Sequence, residues 1–597
     1  MNANLLNYID GKGLYIMFLA GANQILQNQV ELNKINVFPV PDSDTGTNLA
    51  STVRTIIEQI KGKKEYNQSA EEIAEAALEG ARGNSGVIFA QFLHGLRKET
   101  KDLQKVNMHD FAVALKNSVK YVYEAISNPV EGTMITVIRE WSEYFYQNRF
   151  SEKKFYEVFS DSIEVAKKSL FETTRKLKVL AKANVVDAGA KGFVLFLEGI
   201  LELFKKINLK GLLSFSKSTA IEATIPDHVD EDIEFSYCTE AIIRGENLDH
   251  SHIRSIAEKY GNSVVVAGSE EKARIHVHTD LPSDLFYELK KFGELTNQKA
   301  DNMRLQTEIA HHRKFSIALV TDSTCDLPQE LLDKYQIHVV PLKLNVGDSD
   351  YLDKMTIQPK QIYALLDNAE HYPKTAQPSL KSFENMYSFL STHYDSIISV
   401  HLSKDFSGTW SVAQNAANKI ENETGKKITI VNSEHLSGSL GILVYRIAEA
   451  IENGSSHEEI ISKTEGWIKK LEIFVSVKTL KYMVFGGRVS ATKGWIAKQL
   501  NINPIVSVQN GKTIVFGKTF SQKSNMKKVM KHVSKISESK RIWNSVILHA
   551  NNESGAEWYA KEIKKVSGKE PLGIVNISPV VGVNAGIGAA SVAFMYE

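Results

Sequence analysis

The sequence predicts a multidomain protein: an all-α N-terminal region, a small α/β middle domain and a C-terminal α/β region of two lobes. Three observations predict it. Helix-period apolar segments run almost throughout the first 208 residues, where strand-like runs are scarce. A stretch rich in Ser and Thr around Pro226, over 209–230, breaks that pattern as a linker does. From Phe315 onward short apolar runs alternate with helical stretches, the pattern of α/β layers. A length of 597 residues also requires several domains, since ~150 residues is an ordinary domain size.

In the helical region the clearest helices are expected at 70–78, 111–126 and 193–204. Asn36-Val37-Phe38-Pro39-Val40-Pro41-Asp42-Ser43-Asp44-Thr45-Gly46-Thr47-Asn48 sets two carboxylates two residues apart on a turn. Pro39 and Pro41 stiffen it, because each fixes φ and lacks an N–H. Convergent carboxylate oxygens suit magnesium, which takes one or two from protein and leaves its other positions to water and phosphate. An Asp-rich turn that bonds its own backbone has the same composition. Gly80-Ala81-Arg82-Gly83-Asn84-Ser85-Gly86-Val87-Ile88 reads as a glycine-rich loop feeding a helix N-terminus, whose free amides and positive dipole end favour an anion. Val185-Val186-Asp187-Ala188-Gly189-Ala190-Lys191-Gly192 repeats the acidic-then-glycine pattern before another helix. No G-x-x-x-x-G-K-[ST] loop occurs, which excludes an ordinary P-loop enzyme.

Together these motifs resemble the nucleotide-binding subunit of the dihydroxyacetone kinases, and more closely the ATP-binding domain of bacterial fatty acid kinase, over residues 1–208. The resemblance implies an all-helical barrel holding ATP and Mg2+ at one end. By position it implies Asp42 and Asp44 as metal ligands with Asn36 beside them. Thr45, Gly46, Thr47 and Asn48, with Gly83, Asn84, Ser85 and Gly86, would surround the phosphates, and Thr133 and Asp187 would complete the pocket. Ser43 stands where the family usually has glycine, which stiffens the turn.

Residues 231–310 read as a small α/β unit, with strands at 234–243, 263–267 and 273–279 and helices at 252–260 and 285–292. His276-Val277-His278 lies on a predicted strand, where the period of two puts both imidazoles on one face, and Cys238 lies on another. Two imidazoles and a thiolate make a zinc set with one open position. A pair of edge-strand histidines beside an unconnected buried cysteine has the same spacing. The composition and the ending Ala300-Asp301-Asn302-Met303-Arg304 resemble the middle domain of fatty acid kinase, which implies Zn2+ at Cys238, His276 and His278.

Residues 315–597 are expected to form strands at 316–321, 337–341, 396–400, 428–431 and 545–550 and helices at 327–335 and 360–368, in a largely parallel sheet. At ~280 residues the region has room for two lobes with a ligand between them. Hydroxyl-rich turns fall at predicted strand ends, among them Thr321-Asp322-Ser323-Thr324, Lys374-Thr375-Ala376-Gln377, Ser403-Lys404-Asp405-Phe406-Ser407-Gly408-Thr409 and Phe485-Gly486-Gly487-Arg488. Ligands bind there in open α/β sheets, although Ser and Thr at such junctions also serve as N-caps. In this order the set resembles the DegV family of fatty-acid-binding proteins over 315–597. The resemblance implies an acyl chain in an apolar tunnel, its carboxyl group surrounded by Thr375, Ser403, Ser407 and Gly408 with Arg488 close by. The family's Gly-x-His-x-Gly segment here reads Gly582-Val583-Asn584-Ala585-Gly586, so Asn584 can donate a hydrogen bond to the headgroup but carries no charge.

The 71 basic and 70 acidic side chains nearly cancel, which gives no reason to expect a nucleic-acid partner. The most basic stretch, 523–541, places Met526, Val529, Met530, Val533 and Ile536 on one stripe and reads as a solvated amphipathic helix. Cys238 and Cys325 fall in different predicted domains, which points to a reducing compartment and a cytoplasmic location. The sequence opens without the basic flank and apolar core of a secretory signal. The uncharged run 577–595 contains Pro579, Gly582, Asn584, Gly586 and Gly588, and is expected as a strand, a loop and a short helix instead of a transmembrane segment. Transient membrane contact for lipid exchange is compatible with it.

The function expected is ATP-dependent phosphorylation of a fatty acid carboxylate to acyl phosphate, with Asp42, Asp44 and Arg82 as catalytic candidates. Kinase and acyl-binding domains that resemble separate partner proteins share one chain, which tethers their encounter. Transfer within a chain and transfer between the chains of a homodimer both remain open. Two alternatives are a fatty-acid-binding or sensing protein that responds to ATP without transfer, and a kinase for a small ketone such as dihydroxyacetone.

Overall fold

The computed structural model describes residues 8–208, 233–366, 372–487 and 503–597; the linker expected over 209–230 and Arg488 lie outside the described residues. The chain divides into two compact units, Met1–His312 and Arg313–Glu597.

The first unit opens with helices α1 (Gly11–Gln27), α2 (Gln29–Lys34), α3 (Thr45–Gln59), α4 (Tyr66–Gly80), α5 (Gly83–Glu99), α6 (Met108–Ala125), α7 (Met134–Gln147), α8 (Phe155–Lys176), α9 (Lys178–Ala183) and α10 (Ala188–Asn208). The helices expected at 70–78, 111–126 and 193–204 fall on α4, α6 and α10. Successive long helices pack side by side from α3 to α8, and α10 closes the ring against α8 and α1. Glycine makes that closure tight: a Cβ on Gly199 would stand 2.3 Å from the Ala20 carbonyl oxygen, and one on Gly21 2.5 Å from the Phe196 ring. Inside the ring a cavity of about 650 Å³ is lined by Phe18, Phe89, Phe92, Trp141, Phe193 and other apolar residues. Trp141 makes edge-to-face contacts with Phe92, Phe145, Phe159 and Phe193, and its indole N–H donates to Ser162 Oγ at 3.0 Å. Such pairs add ~0.5–1.5 kcal/mol each beyond the area they bury.

The middle sheet follows, with β1 (Tyr237–Arg244), α11 (His250–Ala257), β2 (Gly261–Gly268), β3 (Lys272–Thr279), α12 (Pro282–Leu289), β4 (Glu294–Asn302) and α13 (Met303–His312). The strands run antiparallel in the order β2-β3-β1-β4. The expected strands and helices are present within a few residues. β4 was not expected, because Glu-Leu-Thr-Asn-Gln-Lys-Ala-Asp-Asn lacks apolar alternation. The sheet packs β2 and β3 against α5.

The second unit contains β5 (Ile317–Asp322), α14 (Gln329–Lys334), β6 (His338–Val340), β7 (Lys343–Val346), β8 (Ser349–Leu352), α15 (Pro359–Leu366), β9 (Lys374–Ala376), α16 (Leu380–His393), β10 (Ser396–His401), α17 (Thr409–Thr424), β11 (Lys427–Asn432), α18 (Ser437–Glu452) and α19 (His457–Ile468). It continues with β12 (Leu471–Ser476), α20 (Lys481–Phe485), β13 (Asn503–Gln509), β14 (Lys512–Thr519), α21 (Gln522–Ser537), β15 (Ile542–His549), α22 (Glu553–Ser567), β16 (Ile574–Asn576), α23 (Pro579–Ala585) and β17 (Ala590–Tyr596). The sheet β11-β10-β5-β6 is parallel throughout.

The expectation of a largely parallel sheet fails in the second sheet, β14-β13-β12-β17-β15-β16, whose strands pair antiparallel apart from β15 and β16. The reason is local. Asn510 and Gly511 take φ +48 and +75 and close β13 and β14 into a hairpin, and β17 returns antiparallel between β12 and β15. The basic stretch forms α21 as expected, with Met526, Val529, Met530 and Val533 buried. The run 577–595 forms α23 and most of β17, and among the described residues no helix is long and apolar enough to cross a membrane.

Candidate functional site

Asn36 holds the turn before α3. Its side-chain oxygen accepts the N–H of Thr45 at 2.8 Å and of Asp44 at 3.3 Å, and its Nδ2 donates to the Val40 carbonyl at 3.0 Å. Ser43 takes φ +54, a conformation that glycine adopts without strain and that costs an L-residue ~1–2 kcal/mol. The turn brings Asp42 and Asp44, both buried, to one cavity. Burial raises both carboxyls above their ordinary range; the neighbouring Asp44 adds to the rise at Asp42, while the Lys299 ammonium opposes it at Asp44. Two buried carboxyls that resist joint ionisation fit a divalent cation, which would offset their repulsion.

The cavity, about 370 Å³ with its open mouth included, is lined by Asn36, Pro39, Val40, Asp42, Asp44, Thr45, Asn48, Gly83, Asn84, Ser85, Cys238, His276 and His278. The carboxylate turn, the first turn of α5 and the Cys/His set therefore face one space. Gly83 takes φ +63, and a Cβ there would stand 2.5 Å from Asn48 Nδ2. Its N–H is engaged, donating to Glu240 Oε1 at 2.5 Å, and the Gly86 N–H donates to the Arg82 carbonyl at 3.1 Å.

Strand register builds the opposite wall. Glu240 on β1 lies beside His276 on β3 and Lys299 on β4, and Cys238 lies beside His278 and Asp301. His276 Nδ1 is 3.2 Å from Glu240 Oε1 and 3.8 Å from Cys238 Sγ, while His276 Nε2 is buried without a partner. Candidate ligand atoms of Cys238, His276 and His278 all lie within 4.8 Å of one another. Burial, with His276 and Lys299 beside it, holds His278 well below the ordinary histidine range and therefore neutral. Lys299 Nζ reaches Asp301 at 2.8 Å and Cys238 Sγ at 3.9 Å. Burial disfavours its charge, but Asp301, Cys238 and Glu240 outweigh burial and keep it protonated.

Other expected residues stand back from this lining. The Thr47 hydroxyl accepts from Asn33 Nδ2 at 2.9 Å, on the side of α2, and a Cβ on Gly46 would meet the Gln29 carbonyl oxygen at 2.1 Å. Arg82 pairs with Asp301 at 3.5 Å. Thr133 Oγ1 donates to the Val130 carbonyl at 2.8 Å. Asp187 Oδ1 accepts the Ala190 N–H at 2.7 Å at the start of α10, and burial pushes its carboxyl up to about 6.

The second unit holds a cavity of about 980 Å³. Its walls are apolar, with Leu342, Leu402, Phe406, Ile473, Met483 and Val506 among them, and its polar lining includes Thr324, Thr375, Gln377, Ser407, Ser437 and Asn584. Thr375, Ser407 and Asn584 are thus together, whereas Ser403 Oγ donates to the Gly511 carbonyl at 2.9 Å and Gly408 packs on the Gln377 side chain. Asn584 Nδ2 donates to the Val580 carbonyl at 2.9 Å, and its oxygen lies against Gly486. Buried aspartates pin the N-terminus of α23, which carries Asn584: Asp326 accepts the Ser578 N–H at 3.0 Å, and Asp353 accepts the Val580 N–H at 3.0 Å and the Ser323 hydroxyl at 2.6 Å.

Residues 39–202 match the family model of the DAK2 domain, residues 234–310 that of the FakA-like middle domain of fatty acid kinase, and residues 316–597 that of the uncharacterised protein, DegV family. The three matches follow one another along the chain. An uncharacterized protein of Staphylococcus saprophyticus is 33% identical over 317 residues, covering 51% of this chain and 56% of the relative. One of Staphylococcus epidermidis is 32% identical over 317 residues, with the same coverage. The match thus spans little more than half the length of these curated relatives. Similar solved structures include a DegV family protein of Thermus thermophilus described for fatty acid binding (26% identity, TM-score 0.44, 47% of this chain and 100% of that one). DegV of Bacillus subtilis, described as a fatty acid binding protein, is also similar (28% identity, TM-score 0.44, 48% and 100%).

The middle domain contributes more to the DAK2 cavity than the sequence motifs suggest. Glu240 and Arg274 share the faces of Cys238 and of His276 and His278 by the period of two, so the strand pattern held a signal for both. Lys299 had none, because the strand that carries it is polar along its length.

Proposed function

We propose that the protein transfers the γ-phosphoryl group of ATP to the carboxylate of a fatty acid, giving acyl phosphate and ADP. The reading is carried by one pairing: a buried carboxylate cavity at a helix N-terminus in one unit and a largely apolar cavity of about 980 Å³ in the other unit of the same chain. The FakA-like match of the middle domain supports a fatty acid as acceptor, and the apolar lining argues against a small ketone. In domain terms we assign 1–208 to nucleotide binding, 231–310 to the middle domain and 315–597 to acyl binding, with 209–230 as linker.

A carboxylate oxygen attacks the γ-phosphorus, the bond from that phosphorus to the β–γ bridging oxygen breaks, and ADP leaves with the electron pair. The carboxylate is already ionised, so no general base is required, and the chain's task is alignment and charge. Asp42 and Asp44 would hold Mg2+, which when bound neutralises phosphate charge. Asn36 fixes the turn that carries them, Thr45, Asn48, Asn84 and Ser85 line the phosphate side, and Lys299 adds a fixed positive charge. Thr375 and Ser407 receive the carboxyl end of the acyl chain. Cys238, His276 and His278 fit Zn2+, since they are buried, converge, and leave His276 Nε2 without another partner.

Asp42→Ala should abolish ATP-dependent phosphorylation of fatty acid while lipid binding by the full chain is unchanged. Wild-type turnover in that variant would contradict the assignment. A second reading, an ATP-responsive fatty-acid-binding protein without transfer, is favoured by Asn584, a neutral side chain already hydrogen-bonded to its own helix. ATP turnover that depends on added fatty acid would contradict that reading.

A further inference from the structure

Glu240 is fully buried, and its carboxylate contacts two residues of the cavity lining in the first unit, Gly83 and His276. Toward the helical domain, Oε1 accepts the Gly83 N–H at 2.5 Å, at the first turn of α5. Toward the sheet, the same oxygen faces His276 Nδ1 at 3.2 Å. Arg274 fixes the carboxylate from behind: its guanidinium donates to Glu240 Oε2 and to the Ala81 carbonyl, each at 2.5 Å, so the loop before α5 is gripped on both sides of Arg82. With Nδ1 donating to Glu240, the ring nitrogen that remains for a metal is Nε2, which is buried without a partner.

We propose that Glu240 is a positioning residue shared by the loop that lines the phosphate side and the Cys238/His276/His278 cluster, and that through it zinc at the cluster and nucleotide in the cavity strengthen each other's binding. The link rests on the nucleotide and zinc reading given above. It requires no contact between zinc and phosphate, because one rigid carboxylate sets both the Gly83 amide and the His276 ring. By thermodynamic reciprocity, whatever factor zinc contributes to nucleotide affinity, nucleotide contributes to zinc affinity.

The test uses the full chain, zinc as the metal probe and a non-hydrolysable ATP analogue with magnesium. In the wild type, stripping zinc with a chelator should weaken analogue binding by ~5–150-fold, the usual range of coupling between sites. Glu240→Ala should lower zinc retention by ~10–100-fold, weaken the analogue, and make its affinity indifferent to zinc. It should also speed hydrogen exchange at the Gly83 amide. Glu240→Gln, which keeps the side-chain shape, serves if the alanine variant does not fold, and it should show a reduced zinc dependence. Equal zinc dependence in variant and wild type, or none in a wild type that binds the analogue, would overturn the link alone. A wild type that binds no analogue would overturn the nucleotide reading with it.

Discussion

Asp353 shows how much a single buried side chain contributes to the second unit. It accepts the Ser323 hydroxyl and the Val580 N–H, and through the latter holds the start of α23. Burial pushes its carboxyl from an ordinary 3.8 up to about 7, with Lys354 opposing the rise. The native state therefore keeps a proton that the unfolded chain releases near pH 3.8. As pH rises from there to about 7, this group lowers stability by an amount on the order of 2–4 kcal/mol, and above that range its contribution is constant. Asp353→Asn should remove that slope from urea unfolding followed between pH 4 and pH 7. An unchanged slope would show that Asp353 is ionised throughout. The residues Asp42 and Asp44 were legible because two carboxylates flank one position after a proline pair. Glu240 and Lys299 were not, since a lone Glu or Lys on a strand carries no motif, and only register places them behind the residues that line the cavity.

At the scale of elements, α7 is the test of the helical ring. Trp141 is 3% exposed and stands among four aromatic rings beside the internal cavity of the ring. Trp141→Ala should destabilise the first unit by ~3–5 kcal/mol, read by denaturant unfolding, because the surrounding rings cannot close a further void. A loss under ~1 kcal/mol would mean the ring repacks freely. Helices with a clean apolar stripe, such as α4, α6 and α10, were legible at sequence level, as were the strands of the parallel sheet, which are continuous apolar runs. The antiparallel sheet was hidden for a different reason. Its pairing depends on a C-terminal strand returning between β12 and β15, which no local pattern encodes; the Asn510-Gly511 dipeptide is a local hairpin signal that the expectation of a parallel sheet passed over. The polar residues expected around the cavity of the second unit divide in the same way: Thr375, Ser407 and Asn584 line it, while Ser403 and Gly408 serve the loops around it.

At the scale of the whole molecule, regions that match the DAK2 and DegV models share one chain, which in the proposed reaction makes their encounter tethered instead of bimolecular. The effective concentration that a tether gives is set by its length and stiffness, without any new contact. In the proposed reaction, the chain would need no separate acyl-binding partner to complete turnover. The most direct test is an assay of the purified 597-residue chain with labelled ATP, magnesium and a panel of fatty acids, trapping acyl phosphate with hydroxylamine. Hydroxamate formation should require both ATP and a fatty acid and be lost in Asp42→Ala. No hydroxamate from protein shown to bind both ATP and fatty acid would contradict it, and would make the chain an ATP-responsive lipid binder.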